Sequence, residues 1–231
     1  MAKGIVRSKR YQEAAKMGTE KVLPIDQAVD IVKSFTPTKF DQTIELIFSL
    51  GIDPKHADQM IRGSLSLPHG VGKTKRVVCF CSENLIATAT AAGAIRAGGA
   101  ELVTAIEKEN FSDFDVAIAT PDMMRFVGKL GKVLGPKGLM PSPKAGTVTA
   151  DIAPAIREYA AGKVEFRNDT GGNVHCVIGK QSFEKQKIVD NAVAMINQIK
   201  RLKPITSKGH YFKKVVMKGS MTPAVQVIVA M

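Results

Sequence analysis

No apolar run in this 231-residue sequence approaches the ~18 consecutive residues that a membrane-spanning helix needs. The opening MAKGIVRSKRYQEAAKMG is basic but has no apolar core ahead of a small-residue cleavage site. A secretory signal is therefore not expected, and the reading is a cytoplasmic protein off the membrane. Cysteine is scarce: Cys79 and Cys81 in VVCFCS, and Cys176 in VHCVIG. An odd number, each inside an apolar run, argues for reduced core thiols over a disulfide framework. Even with neighbouring His175 they fall short of a zinc ligand set, so no metal is expected. Histidine is scarce too: His56, His69, His175 and His210 stand apart, with no adjacent nucleophile in a triad pattern. A dispersed catalytic site stays open, because catalytic partners meet in space and not in sequence.

What the sequence has in excess is positive charge, +12 at neutral pH. Between Pro68 and Ala160 there are 11 Lys and Arg against 9 Asp and Glu, a net of +2; the two ends together hold 22 against 12, a net of +10. The positive field thus belongs to the termini, and it argues for an anionic partner, nucleic acid above all.

The middle block alternates strand and helix. KRVVCFCS has strand length; ENLIATATAAGAIRAGG reads as an Ala-rich helix stopped by Gly98 and Gly99; AELVTAIEKEN reads as a helix and FDVAIATP as a buried strand. Asp122 is the expected cap of a helix MMRFVGKLGKVLG, and Asp151 stands near the start of another, ADIAPAIREYAAG. Such alternation specifies a parallel sheet with covering helices. The outer blocks differ. In KFDQTIELIFSLGID, period 2 places Phe40, Gln42, Ile44, Leu46 and Phe48 on one face. MIRGSLSLP, KVEFRND, NVHCVIGK, HYFKKVVMKGS and PAVQVIVAM also read as strands. DQAVDIVKSF, with Asp26 as its expected N-cap, and SFEKQKIVDNAVAMINQIKRLK read as helices. The expected architecture is an α+β domain built from both chain ends, residues 1–67 and 161–231, with an α/β domain, 68–160, inserted into it. SLPHGVGK and YAAGK would supply the crossings.

HGVGKT imitates the end of a phosphate-binding loop, but Leu67 stands where its first glycine belongs and a strand, not a helix, follows. RAGGAE lacks the spacing and the strand-to-helix context of a dinucleotide fingerprint and reads as a helix stop. The informative stretch is VGKLGKVLGPKGLMPSPKAGTVT. It offers Lys129, Lys132, Lys137 and Lys144 among glycines and prolines, with no carboxylate or histidine between Asp122 and Asp151. Such a segment suits contact with phosphates and suits bond-making poorly.

At this point the residues become recognisable. TPDMMRFVGKLGKVLGPKGLMPSPKAGTV resembles the signature segment of the L-one family of large-subunit ribosomal proteins, in its bacterial form. The likeness extends through KRYQEA, AVDIVK, KFDQTIEL, LGIDPKHADQMIRGSLSLPHGVGK, VEFRNDTGGNVHCVIGKQSF and SMTP. It implies a terminal domain carrying the main rRNA contact and a Rossmann-like middle domain that binds no dinucleotide. It further implies a cofactor-free protein, monomeric when free, that is not an enzyme. Its partners would be the rRNA of the mobile stalk beside the exit site, deacylated tRNA leaving there, and the protein's own operon mRNA, which it would repress. The implied RNA surface is Lys39, Phe40, Thr43 and Glu45, with Ser220, Met221 and Thr222, and further Arg167, Asn168 and Asp169. The four lysines of the signature segment would add a secondary contact. Taken alone, Phe40 and Met221 read as ordinary core residues. The chain departs from the family at Thr222, where a glycine is usual, and at Thr170, where a lysine often stands.

The rival reading, a nucleotide-using enzyme on the middle α/β domain, rests on GVGKT and on fold alone, which does not imply function. Equilibrium dialysis with ATP, GTP and NAD separates the two. No saturable binding at micromolar ligand is expected; saturation there would restore the enzyme.

Overall fold

The computed structural model describes residues 8–17, 21–109, 111 and 113–229. Met1–Arg7 of the basic opening, and Asn110 and Ala230–Met231 at the ends of two expected elements, lie outside the described residues. Two helices come first, α1 (Lys9–Met17) and α2 (Ile25–Ser34). Pro24 holds the N-cap of α2, and Asp26 sits in its first turn, where a carboxylate meets the positive helix end; Asp26 is thus not the cap. Strand β1 (Thr43–Leu50) follows, alternating half-buried and buried residues along its length. Gln42, Ile44, Leu46 and Phe48 are buried as period 2 requires, but Phe40 lies outside the strand and is 53% exposed. Next come β2 (Arg62–Leu65), β3 (Val77–Phe80) and α3 (Glu83–Ala91).

Here the structure departs from the single Ala-rich helix read in ENLIATATAAGAIRAGG. Helix α3 stops at Ala91, Gly93 takes a left-handed φ of 106°, and Arg96–Gly98 form a short strand, β4, before α4 (Ala100–Glu109). RAGGAE is therefore a strand-to-helix turn and not a helix stop. Strand β5 (Val116–Ala119) is followed by a broken helical path: α5 (Met124–Val127) and α6 (Gly131–Leu134), each preceded by a 3-10 turn. Glycines at 128 and 131 weaken a continuous helix at this place. Asp122 lies inside the first 3-10 turn and Thr120 takes its cap position, so Asp122 is not the cap either. The remaining elements are α7 (Ile152–Ala160), capped at Asp151 without a side-chain bond, β6 (Val164–Arg167), β7 (Asn173–Lys180), α8 (Lys185–Arg201), β8 (Phe212–Gly219) and β9 (Val225–Gln226).

The chain divides into two compact units with mixed α/β content. One gathers the described residues of Met1–Ile61, Leu67–Gly72 and Phe166–Met231; the other is Arg62–Ser66 with Lys73–Glu165. The seams fall differently from the partition read in the sequence. Residues 62–66 and 161–165 go with the middle unit, and 68–72 with the terminal one, so the chain passes between units four times instead of twice.

In the terminal unit an antiparallel sheet runs in the order β7-β1-β8-β9, with β1 paired to β7 on one side and β8 on the other. Ile44, Leu46 and Phe48 join Cys176, Ile178, Val215 and Met217 on its buried side, and α2 and α8 pack in the same unit. The long helix buries Ile188, Ala192, Met195, Ile196 and Ile199, the stripe that its spacing specifies. It also buries a polar residue, Asn191. Its Nδ2 donates to the carbonyls of Gly70 (2.9 Å) and Ile178 (2.8 Å), and its Oδ1 accepts the His69 N–H (3.1 Å). One side chain thus ties His69 and Gly70 to the strand that carries Ile178, and without the amide the buried Ile178 carbonyl would lose this partner.

In the middle unit a parallel sheet runs β4-β3-β5, and β3 is buried on both faces, as parallel sheets are. Val78 and Phe80 face one apolar cluster with Ile106, Val127, Leu130 and Leu134; Val77, Cys79 and Cys81 face the other with Ile118, Ile156 and Tyr159. Replacing Asn191 by leucine, which keeps the volume and removes the bonds, should lower the stability of the terminal unit by about 1–3 kcal/mol in urea unfolding. An unchanged midpoint would mean that water replaces those bonds.

Candidate nucleic-acid interface

One end of β1 and the turn after β8 meet at a corner, and the structure brings most of the expected residues to it. The Ser220 N–H donates to the Thr43 carbonyl (3.0 Å), and the Thr43 N–H to Ser220 Oγ (3.3 Å). Lys180 Nζ donates to Thr43 Oγ1 (2.9 Å) from the neighbouring strand. Both hydroxyls keep acceptor capacity toward solvent. Thr38 Oγ1 donates to the Phe40 carbonyl (2.6 Å), closing a turn that leaves Lys39 and Phe40 outward. Met221, 54% exposed, projects from the turn after β8. Phe40 and Met221 are therefore not core residues, contrary to what their types alone suggest. Glu45 lies farther along β1, opposite Lys218 at 4.0 Å.

The residue that fixes this corner was not singled out as functional. Gln42 is 1% exposed. Its Oε1 accepts the Met221 N–H (2.9 Å), its Nε2 donates to Gln181 Oε1 (3.0 Å), and its carbonyl accepts the Gln181 N–H (2.8 Å). It sets the height of Met221 above β1. The signal was available, since Gln42 is the one polar residue in the apolar phase of Gln42, Ile44, Leu46 and Phe48.

Thr222 is accounted for inside the turn. Its Oγ1 accepts the Gly219 N–H (2.8 Å), and its methyl lies over Gly219, 3.2 Å from where a Cβ would stand. The branched side chain is thus folded against the turn, half-buried, and supplies a bond that a glycine could not.

Arg167, Asn168 and Asp169 do not join this corner. They precede β7, whose Asn173 pairs with Ser49 at the opposite end of β1 from Thr43. Arg167 is exposed, but the polar groups of the other two are occupied within the fold. Asn168 is buried: its Oδ1 accepts the Ile61 N–H (2.8 Å) and its Nδ2 donates to the Asp169 carbonyl (3.0 Å). Asp169 accepts the Asn173 side-chain amide (3.0 Å) and the N–H groups of Asn173 (2.7 Å) and Gly171 (2.8 Å). Those bonds hold its carboxyl below the usual range. Asn168 and Asp169 thus build the turn between β6 and β7.

In the middle unit Lys129, Lys132, Lys137 and Lys144 are all exposed; Lys137 lies in a turn, and the others sit on short helical pieces along which Val127, Leu130, Leu134 and Ala145 are buried. The three thiols are buried and unbridged, and burial pushes Cys79 and Cys176 up to about 12, so neither is a nucleophile or ligand at neutral pH. Among the described residues no cluster of His, Cys, Asp or Glu could hold a metal ion, and no helix is long and apolar enough to cross a membrane.

The corner thus presents exposed apolar side chains, Phe40 and Met221, with hydroxyls and lysines, and among these residues no histidine or cysteine. The chain belongs to the Ribosomal protein L1p/L10e family, whose model matches residues 32–223. It is 48% identical over 221 residues to the large ribosomal subunit protein uL1 of Kosmotoga olearia, covering 95% of each chain. It is likewise 48% identical over 219 residues to that of Solibacter usitatus, covering 95% of this chain and 92% of the relative. The family is one of ribosomal proteins, not of enzymes.

Replacing Thr222 by glycine removes the acceptor for the Gly219 N–H and should destabilise the protein by about 0.5–1.5 kcal/mol in thermal unfolding, while serine should restore most of the loss. Equal melting of the glycine and serine variants would show that the hydroxyl has no such role.

Proposed function

We propose that this chain is a protein of the large ribosomal subunit that binds rRNA through the corner formed by β1 and the turn after β8. Lys39, Phe40, Thr43, Ser220 and Met221 make the contact, with Glu45 at its edge and Thr222 shaping the turn from within. The observation that carries this reading is the exposure of two large apolar side chains, Phe40 and Met221, beside the hydroxyls of Thr43 and Ser220. A shallow RNA minor groove presents 2′-hydroxyls and sugar edges, which small polar groups read at close range. The apolar pair excludes water there, and hydrogen bonds in a drier interface are stronger. Lys39 and Lys180 supply charge.

The RNA is the mobile stalk beside the exit site. There the protein assists release of deacylated tRNA, and it represses its own operon through a similar site in the mRNA. Family membership and the net charge of +12 support this reading. The terminal unit acts as the principal binding domain, and the exposed lysines of the middle unit make a secondary RNA contact. The protein works in the cytoplasm, on the ribosome, without cofactor, and is monomeric when free.

Alanine at Ser220 or at Met221 should each weaken binding to the stalk fragment by about 1–3 kcal/mol, with little effect on a scrambled hairpin of equal length across a salt titration. If both variants bind as the parent does, the corner is not the site.

A further inference from the structure

We propose a second RNA-backbone site at the opposite end of the same sheet, in a groove of about 600 Å³ lined by Lys208, His210 and Lys213 with Gly51, Ile52 and Asp53. It rests on the RNA-binding reading and extends the footprint along the open face of the sheet.

The groove is built by two local irregularities. In the β1–β8 pairing, Ser49 lies opposite Lys214 and Leu50 opposite Phe212, so Lys213 is an extra residue with no partner on β1. Such a bulge re-aims a side chain, and here it lets two successive lysines, Lys213 and Lys214, both face water where strict alternation would bury one. The second irregularity is Gly51. A Cβ there would lie 2.2 Å from the His210 carbonyl oxygen, so only glycine lets the 206–211 segment close against the end of β1. That closure is locked: the Gly51 N–H donates to the Tyr211 carbonyl (2.7 Å), and Ser207 Oγ donates to the Gly51 carbonyl (2.9 Å). Lys213 then lies across Gly51, its Cε 3.7 Å from the same Cβ position.

Positive charge outweighs negative in the groove. Its one carboxylate, Asp53, accepts the Lys55 N–H (3.0 Å) and lies 3.7 Å from His56 Nε2. Among the described residues, Lys208, Lys213 and Lys214 enter no ion pair. Lysines on long stems act as point charges, which suits phosphates and not base edges. The groove also continues the proposed interface. From Ser220 the open face runs past Lys218, Val216 and Lys214, opposite Glu45, Ile47 and Ser49, and ends at Gly51. At about 3.4 Å per residue, the seven steps of β8 cover roughly 24 Å, so one RNA helix lying along the strands would meet short-range contacts at one end and cations at the other.

The test is the full chain carrying Lys208→Gln with Lys213→Gln, titrated against the stalk fragment and the scrambled hairpin over a salt series, beside Ser220→Ala. The double variant should lose affinity for both RNAs by roughly tenfold at low salt, and its slope of log K against log salt should fall by about 1.4–1.8, two phosphate contacts' worth. Ser220→Ala should keep the slope and lose only the preference for the stalk. An unchanged slope in the double variant, with Ser220→Ala still weakened, overturns the groove alone. Parental binding in both overturns the groove and the RNA reading together.

Discussion

The terminal unit depends on β1 being paired from both sides. Residues 43–50 find one neighbour at 173–180 and the other at 212–219, and nothing local holds them. A one-residue slip on either side would turn Ile44, Leu46 and Phe48 outward and bring Thr43, Glu45 and Ile47 in, forfeiting roughly 1.5–3 kcal/mol for each large side chain exposed. Register and the proposed RNA surface are therefore the same constraint. The pairing that buries the apolar row also sets Ser220 against Thr43 and Met221 against Gln42.

Two kinds of recognition follow from the two ends of that sheet. At the Ser220 corner the groups are short, partly bonded to one another and held by a buried amide, so they suit a surface that reads shape. At the Gly51 end the lysines are long, unpaired and raised by a bulge, so they suit a surface that senses charge. The middle unit offers a third arrangement, lysines spaced over an apolar shell. Its two cysteines, Cys79 and Cys81, are buried and unbridged.

Much of the fold was legible because burial alternates cleanly. Strand β1 and helix α8 are amphipathic over eight and seventeen residues, long enough for their periods to show. Strand β4 was hidden because it has three residues and follows Ala-rich helix without a polar break; only Gly93 marked the change. Period 2 places Phe40 in the buried row, but the Thr38 turn takes it out of the strand, which starts at Thr43. For the site, residue type showed which groups could meet RNA but not which way they face. Asn168 has suitable chemistry and directs it inward, Asp169 spends its carboxylate on bonds within its own turn, and Gln42, inside the apolar row, positions what Met221 presents. The placement of Lys39, Phe40, Thr43, Ser220 and Met221 came from the family likeness, since partners 177 residues apart, such as Thr43 and Ser220, leave no trace in spacing.

The distant pairing of β1 also sets an order of assembly during synthesis. Chains emerge from the N-terminus, and domains fold as units once their residues are out. Strand β1 is made before any of Lys73–Glu165, yet both of its partners come after that segment. The middle unit can close while the apolar row of β1 still waits, and that row is paired on both sides only when β8 arrives. The corner where Ser220 meets Thr43 cannot close until translation has passed Met221, and β9 can be added only after that. The two halves of one small surface are thereby separated in time by the whole synthesis of the middle unit.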